Sequence, residues 1–195
     1  MFRNLSRSIV AGVTGVALLA SGSVALAADT YQVDPEHSTL IFRVKHLGAG
    51  WAYGRINQPT GSVTIDGQNP ANSTFQIEAD AAKIDTANAK RDDHLRGPDF
   101  FSAKQFPKLS FKSTGVSKAG DDKYAVAGDL TIRGVTRPVT VELQHVGTVD
   151  DRGGGKRTGF EGTFTIKRSD FGVNYMPEGL GDEVRVIVSF EATRR

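Results

Sequence analysis

The sequence predicts an all-β protein in which about eight antiparallel strands close into a barrel, with one short helix segment near one end. Apolar and polar residues alternate with a period of two in one run after another, which is the pattern of half-buried strands. Turn-forming pairs such as Asp66-Gly67 and Arg133-Gly134 separate the runs at short intervals. Short connections join antiparallel neighbours, whereas parallel strands need long crossovers.

The apolar faces of these runs identify the strands. They are formed by Leu40, Phe42 and Val44; Val63 and Ile65; Phe75, Ile77 and Ala79; Leu109 and Phe111; Tyr124, Val126, Leu130 and Ile132; Val139, Val141 and Leu143; Phe160, Phe164 and Ile166; and Val184, Val186, Val188 and Phe190. Residues 51–57 add a further run, so we expect about eight or nine strands.

This many antiparallel strands must protect their edges, and closure into a barrel removes the edges altogether. A two-sheet sandwich is the alternative architecture. The interior of a barrel of this size is either filled by side chains or just wide enough for one small ligand. The alternation of residues is compatible with both interiors.

The strand pattern is interrupted over residues 85–96, where helix-compatible residues replace the alternation. Asp85 or Thr86 is a suitable N-cap, and Gly97-Pro98 is a stop signal. We expect a helix there, followed by a second short helical or irregular segment over residues 99–106.

Residues 1–27 have the three parts of a cleavable signal peptide. Arg3 and Arg7 precede an uncharged apolar run over residues 9–20, and small residues then lead to Ala25-Leu26-Ala27. The apolar run is shorter than the roughly 20 residues of a membrane-spanning helix. We therefore expect residues 1–27 to be removed and residues 28–195 to form one exported domain without an integral membrane segment.

The charge balance and the absence of cysteine exclude several classes of function. Without Arg3 and Arg7, the 24 basic residues fall to 22, which equals the number of acidic residues. A balanced surface gives no reason to expect nucleic acid as a partner. Because the chain has no cysteine, disulfides, thiolate metal sites, a cysteine nucleophile and a cysteine-linked lipid anchor are excluded.

The four histidines do not predict a metal site, because their spacings are not those of metal-binding motifs. His46 continues the apolar face of Leu40 to Val44, and His145 continues that of Val141 and Leu143. Both are therefore expected to point inward near a barrel end. In a hollow barrel they would be among the few polar groups available to a ligand.

Residues 91–96 form the densest group of functional side chains in the sequence. On a helix, Arg91 and His94 share a face, as do Asp92 and Arg96. An Asp–His pair can perform acid–base chemistry, but no GxSxG motif accompanies it. A salt-bridged helix that packs over the barrel is the simpler interpretation, and recognition of a ligand head group is a further alternative.

Aromatic and other large apolar residues occur both in the strands and in the expected irregular segments. Trp51 and Tyr53 share a strand face, and with the strand phenylalanines they would pack in a core or line a pocket. Five others fall in expected irregular segments, namely Phe100, Phe101, Phe171, Tyr175 and Met176. Apolar residues in such segments are typical of the mouth of an apolar binding site.

Motifs along the whole of residues 28–195 resemble the YceI-like family in collinear order. They are residues 37–48 (HSTLIFRVKHLG), Thr86, 91–95 (RDDHL), 99–101 (DFF), 106–111 (FPKLSF), 128–136 (GDLTIRGVT), 168–172 (RSDFG) and 181–184 (GDEV). The chain departs from relatives after Gly48, where the pair Trp51 and Tyr53 replaces a Gly-Phe or Gly-Leu.

The resemblance implies an extended, lipocalin-like, eight-stranded antiparallel β-barrel that is exported to the periplasm. It also implies that the interior holds a polyisoprenoid, a quinone or another long-chain amphiphilic lipid, and that the protein associates as a homodimer. No catalytic residue, metal or cofactor other than such a lipid is implied. The expected ligand-binding residues are Leu40, Phe42, Val44, His46, Trp51, Tyr53, Phe75, Ile77, Arg91, His94, Phe101, Phe111, Phe160, Phe164 and Met176.

Three classes of function remain open from the sequence. The first is a periplasmic lipid carrier, whose anionic ligand would be held by cations among Lys45, Arg55, Arg91 and Arg96. The second is a stress-related interaction protein with a filled barrel. The third is an enzyme that uses Asp92 and His94.

Overall fold

A computed structural model describes residues 28–194 and contains ten strand segments, one α-helix and three short 3₁₀ turns. The strands are β1 (Asp29–His46), β2 (Gly50–Asn57), β3 (Thr60–Ile65), β4 (Thr74–Asp80), β5 (Ile84–Asp85), β6 (Lys108–Gly120), β7 (Lys123–Ile132), β8 (Val135–Asp150), β9 (Lys156–Lys167) and β10 (Leu180–Arg194). The helix is α1 (Ala89–Arg96), and the 3₁₀ turns are Pro70–Asn72, Ala81–Lys83 and Arg168–Phe171.

Eight of the strands form a closed antiparallel barrel. The order β10-β9-β8-β7-β6-β4-β3-β1 is closed by pairing of β1 with β10. Hairpins connect the four strands from β6 to β9, and β1 has two partners on one edge. The predicted barrel is therefore confirmed, and the sandwich alternative is excluded.

β1 changes partner halfway along its length. Residues 29–32 pair with β3, whereas residues 39–46 pair with β2. The pairing of β1 with β10 shifts register between Asp34 and Thr39, at the point where the partner changes. β2 in turn pairs with the two-residue β5. β2 and β5 thus form an additional flap of sheet at the end of the barrel that carries α1.

The opposite end of the barrel is closed by an aromatic cluster centred on Phe160. Its ring lies 5.6 Å from that of Phe75 in an edge-to-face arrangement and 5.5 Å from that of Phe190 in a stacked one. Tyr124 and the imidazole of His145 also contact it, with centroid distances of 6.3 and 5.0 Å. Edge-to-face and offset pairs are the favoured aromatic geometries, so this cluster is a well-packed plug.

The helix begins later than the sequence predicts. Its N-cap is Asn88, whose side chain accepts a hydrogen bond from the Arg91 backbone N–H at 3.0 Å. The expected caps were wrong because Asp85 accepts hydrogen bonds from Arg55 in the β2–β5 pair, and the Thr86 hydroxyl donates to Asp92. The predicted stop is confirmed, since Gly97 is the C-cap.

Residues 99–106 form turns that connect α1 to β6, as the irregular alternative predicts. The backbone N–H groups of Phe101 and Ala103 donate to the carbonyls of Leu95 and Arg96 at 3.0 and 2.9 Å. Arg133, in the β7–β8 turn, donates to the carbonyl of Phe100 at 2.8 Å. These bonds hold the segment against the end of the barrel.

The predicted signal peptide lies outside the described residues. Within residues 28–194, no helix has the length and apolar character needed to cross a membrane.

Candidate ligand-binding site

The barrel encloses a cavity of about 530 Å³ between the aromatic plug and α1. Phe75 and Phe190 of the plug form its floor. The volume lies within the range of about 300 to 1,000 Å³ that is typical of small-molecule sites. The barrel interior is therefore hollow, and the filled interior that the sequence left open is not the one adopted.

Most of the cavity wall is apolar and comes from nearly every strand. Leu40, Phe42 and Val44 project from β1, and Ala52 and Ile56 from β2. The remaining apolar side chains on the strands are Ile41, Phe75, Ile77, Ala79, Leu109, Phe111, Val126, Leu130, Ile132, Val141, Leu143, Phe164, Ile166, Leu180, Val184, Val186, Val188 and Phe190. Such a wall offers few hydrogen bonds, so it suits a hydrocarbon tail.

The cavity reaches the surface at the α1 end, where six exposed residues belong to its lining. We call this opening the mouth; its residues are His46, Tyr53, Arg91, His94, Tyr175 and Met176. Five of the six carry a polar group, in contrast to the apolar wall below them. The site thus has an apolar interior and a polar rim, which matches an amphiphile whose tail enters first.

Two glycines on the wall allow phenylalanine rings to lie flat along it. A Cβ atom on Gly54 would lie 2.8 Å from Phe42 Cε1 and closer still to Phe42 Cζ. A Cβ atom on Gly128 would lie 2.5 Å from Phe111 Cζ. A side chain at either position would push a ring toward the cavity, so these glycines keep the interior open.

Arg168 is a buried cation in the cavity lining, and it is 8% exposed. Its guanidinium donates four hydrogen bonds to backbone carbonyls, those of Val173, Tyr175, Leu180 and Gly181, at 2.7 to 3.0 Å. The planar fork of arginine allows several such bonds at once. Arg168 therefore fixes the β9–β10 connection, which carries Tyr175 and Met176 to the mouth.

His94 joins the helix to the same connection. Its imidazole packs edge-to-face on Phe100 and on Tyr175, each with a centroid distance of 5.1 Å. His94 Nε2 lies 2.8 Å from Asp99 Oδ2. The imidazole is thus held by a carboxylate and by two aromatic rings, so the histidine stabilises one side of the mouth.

Asp92 points away from the cavity into a local hydrogen-bond network. Its Oδ1 accepts from the backbone N–H of Thr86 at 2.9 Å and from the Thr86 hydroxyl at 2.5 Å. Arg91 Nε donates to the same hydroxyl at 2.7 Å, and its Nη2 donates to the Thr86 carbonyl. Asp92 and His94 have separate partners, and they do not form an acid–base pair.

The structure places thirteen of the fifteen residues expected from the sequence around the cavity. They are Leu40, Phe42, Val44, His46, Tyr53, Phe75, Ile77, Arg91, His94, Phe101, Phe111, Phe164 and Met176. The two others, Trp51 and Phe160, lie elsewhere. Phe160 is buried at the centre of the plug below the cavity floor. Trp51 is 51% exposed, with the Arg43 guanidinium 4.3 Å from its ring centroid.

Of the four cations expected to hold a ligand head group, most lie away from the cavity. Only Arg91 lines the cavity. Arg55 is paired with Asp85 at 2.8 Å, and Arg96 donates to the carbonyls of Ala82 and Ile84. Lys45 is exposed on the outer face of β1.

His145, which was expected to point inward near a barrel end, lies beside Thr148 and Thr158 at the plugged end.

Asp34, His37 and Glu191 place three potential metal-ligand atoms within 4.8 Å of one another at the plugged end. Arg157 already neutralises this group, because it donates to Asp34 at 2.8 Å and to Glu191 at 2.6 Å. Partial burial opposes ionisation of Asp34, but the bonds from Arg157, His37 and the Glu36 backbone outweigh it and lower its pKa to about 2. The cluster is an ion-pair network that joins β1, β9 and β10.

Sequence reasoning missed Arg168 and its neighbour Val173 in the lining. The motif at residues 168–172 is the signal that could have identified Arg168, since it is one of the family motifs found in the sequence.

Comparison with known proteins identifies the fold and the family. The YceI-like domain matches residues 31–192, which is nearly all of the described chain. Protein YceI of Escherichia coli is 40% identical over 186 residues, which cover 94% of this chain and 96% of that protein.

Two solved structures have the same fold. BcnA of Burkholderia cenocepacia is 29% identical, covers 83% of this chain and 99% of its own, and superposes with a TM-score of 0.75. A polyisoprenoid-binding domain of Saccharophagus degradans, implicated in plant cell wall breakdown, covers 85% of this chain and 98% of its own at 15% identity and a TM-score of 0.65. From its barrel, its cavity and these similarities, the chain belongs to the YceI-like family.

Proposed function

We propose that this protein is a periplasmic carrier that binds one long-chain amphiphile, a polyisoprenoid or a quinone-type lipid, inside the barrel. The observation that carries the proposal is the apolar cavity of about 530 Å³ with a polar mouth. The polyisoprenoid-binding domain of Saccharophagus degradans, which shares the fold, supports this class of ligand. The tail would lie against the strand wall, and the head would remain at the mouth.

Burial of the tail is the largest favourable contribution to binding in this proposal. Each methylene contributes about 0.8 kcal/mol, so a tail of about 16 carbons contributes roughly 13 kcal/mol before costs. Association and ordering cost an estimated 4 to 15 kcal/mol. The tail therefore dominates the affinity, and the mouth sets the position of the head. Ligands with different head groups and similar tails are expected to compete for the cavity.

The mouth offers the head three hydrogen-bonding groups of two chemical kinds. Arg91 carries a fixed positive charge, and His46 and His94 have imidazole nitrogens at the rim. A quinone carbonyl or a phosphate accepts hydrogen bonds from such groups. A carrier function, and not catalysis, is supported by the separate hydrogen-bond partners of Asp92 and His94.

The first test is native mass spectrometry of the protein purified from its own host, followed by organic extraction and identification of the lipid. We expect one isoprenoid, quinone or acyl lipid per chain. An empty protein that also fails to take up added prenyl or acyl lipids would contradict the proposal.

A pair of variants connects the bound lipid to the cavity. Ala52 lines the cavity. Ala127 lies on the opposite, outward face of β7, because its neighbours Val126 and Gly128 point inward, and it does not belong to the lining. Ala52→Phe is expected to fill part of the cavity and to reduce bound lipid at least about tenfold, because an occupied volume excludes the tail. Ala127→Phe is the matched control and is expected to retain the lipid.

A further inference from the structure

The exposed large apolar residues of the described chain are concentrated around the mouth. Seven such residues are exposed in all. Five belong to segments that form the mouth: Leu47, Trp51, Tyr53, Tyr175 and Met176, with exposures of 61, 51, 54, 43 and 39%. A cluster of this kind on a soluble domain indicates an interaction surface. We call these five residues the docking face.

The docking face is held together by two structural links. Leu47 lies in the β1–β2 turn, and its backbone N–H donates to the carbonyl of Gly179 at 2.7 Å. Gly179 follows Met176 closely in the β9–β10 connection, and its own N–H donates to the Met176 carbonyl at 3.1 Å. The turn and the connection therefore project as one unit beside the opening of the cavity.

Two cations lie next to Trp51 on the outer face of the barrel, and a third lies next to one of these two. Lys45 is directly opposite Trp51 across the β1–β2 pair, and the Arg43 guanidinium lies over its ring at 4.3 Å. Arg185 is directly opposite Arg43 across the β1–β10 pair. None of the three forms an ion pair within 4 Å among residues 28–194. Adjacent cations that form no ion pair favour an external anion.

Three acidic residues near the mouth have hydrogen-bond or ion-pair partners of their own. Asp85 is paired with Arg55, and Asp99 with His94, in each case at 2.8 Å. Asp182 accepts hydrogen bonds from the backbone and hydroxyl of Ser169. Glu183 lies two residues before Arg185 on the same face of β10, and it is opposite Lys167 across the β9–β10 pair. The cations that adjoin Trp51 itself are therefore Arg43 and Lys45.

We propose that the docking face binds the surface of an anionic lipid bilayer, with Arg43, Lys45 and Arg185 against lipid phosphates. Tryptophan and tyrosine are the residues that favour the boundary between water and lipid. Basic residues near such a surface are attracted to anionic lipids. Docking in this orientation places the mouth at the bilayer, so that a lipid can enter or leave the cavity without crossing water.

Docking does not require an occupied cavity, so it is testable apart from the proposed lipid-binding function. Trp51 is the only tryptophan of the chain, and its emission therefore reports on the docking face alone. The protein is purified as the cell produces it, with its N-terminus identified by intact mass. It is mixed with vesicles of equal parts phosphatidylethanolamine and phosphatidylglycerol, or of pure phosphatidylcholine.

We expect a blue shift of Trp51 emission and protection from acrylamide with the anionic vesicles, and a much smaller effect with phosphatidylcholine. Added salt is expected to weaken the anionic response, because it screens exposed charges. No spectral change and no co-sedimentation with anionic vesicles would overturn the proposal. Protection of Trp51 that increases with protein concentration in the absence of vesicles would instead identify a homodimer interface, and would also overturn it.

Two double variants test the residues. Lys45→Gln with Leu47→Asn leaves Trp51 and the cavity lining unchanged, and asparagine suits the positive φ of 50° at position 47. This variant is expected to bind anionic vesicles at least about tenfold more weakly. Val146→Thr with Val149→Thr removes the two exposed valines at the plugged end and is the control, with unchanged binding expected. Equal binding by both would overturn the proposal, and the lipid content of each variant shows whether the cavity still loads.

Discussion

Gly54 lies directly opposite Phe42 across the β1–β2 pair, and the phenylalanine ring occupies the space where a side chain at position 54 would be. The added Cβ would approach Thr86 Cγ2 to 2.7 Å as well. A ring on one side and a threonine methyl on the other leave no room. The absence of a side chain on β2 therefore determines where the ring of Phe42 lies, and with it the width of the cavity.

Gly54→Ala is expected to displace the Phe42 ring into the cavity. Overpacking of this kind costs about 1 to 3 kcal/mol of stability, and the smaller cavity is expected to bind a prenyl or acyl lipid several-fold more weakly. Urea unfolding and titration with a fluorescent fatty acid measure the two effects. Gly50→Ala, on the same strand with open space around it, is expected to change neither, and an equal loss of binding in both variants would contradict the explanation.

Arg168→Gln is expected to loosen the β9–β10 connection. The substitution removes a charged donor from four backbone carbonyls, and hydrogen bonds from charged groups contribute about 1.5 to 3 kcal/mol each. We expect a loss of about 3 kcal/mol or more in the free energy of unfolding, measured with urea. Faster amide exchange is expected in residues 172–179.

The conservative variant separates the charge of Arg168 from its geometry. Arg168→Lys keeps a cation but cannot reach four carbonyls from one planar group, so it is expected to recover only part of the stability. Full recovery would show that charge alone matters. Unchanged exchange in residues 172–179 in both variants would show that Arg168 does not hold the connection.

Much of the fold could be predicted because strand alternation reports directly which residues are buried. On β1 the alternation of Leu40, Phe42 and Val44 correctly identified the cavity wall, and His46 follows them to the rim. β2 was harder, because its inward face consists of Ala52, Gly54 and Ile56, whereas its largest residue, Trp51, faces outward. The large size of Trp51 suggested that it faces inward. The inward face of β2 carries small residues instead, because the Phe42 ring occupies the space beside Gly54.

The mouth could be predicted only in part, because its geometry depends on contacts between distant segments. Arg168 is buried by the carbonyls of a loop that follows it, and backbone acceptors leave no pattern in a sequence. Phe160 alternates correctly with its neighbours and does point inward, but it belongs to the plug and not to the cavity. Alternation determines the face of a strand, and it does not determine the depth along the barrel.

Asp92 is expected to have a structural role that its amide analogue largely preserves. Both bonds from Thr86 are accepted by the same oxygen, Oδ1, so the carbonyl oxygen of asparagine can replace it. We expect Asp92→Asn to lower the free energy of unfolding by about 1 kcal/mol, and Asp92→Ala by about 2 to 3 kcal/mol because two buried donors lose their partner. Urea unfolding measures both, and lipid content is expected to be unchanged in Asp92→Asn. An Asp92→Asn protein of normal stability that no longer functions would instead indicate catalysis.

The ion-pair network at the plugged end is expected to make stability depend on pH in the acid range. The pKa of Asp34 is lowered from 3.8 to about 2, so the folded protein binds its proton less readily than the unfolded chain does. Its contribution is therefore fully present above the unfolded pKa and is lost as the pH falls through about 2. We expect Asp34→Asn to lower the free energy of unfolding at pH 7 by about 1 to 2 kcal/mol and to flatten its decrease between about pH 4 and pH 2.

His37 is expected to contribute in the opposite direction. The hydrogen bond to Asp34 raises the pKa of its imidazole above 6.5, so its contribution is present below that value and is lost as the pH rises through the higher folded value. His37→Asn is therefore expected to lower stability at pH 5 and to have no effect at pH 9, in urea titrations at each pH.

The control for Asp34→Asn is Asp121→Asn, at an exposed position in the β6–β7 turn. If the free energy of unfolding decreased as steeply in acid for Asp34→Asn as for the parent protein, Arg157 would not lower the pKa of Asp34. Only a carboxylate whose pKa differs between the folded and unfolded states makes stability depend on pH in that range.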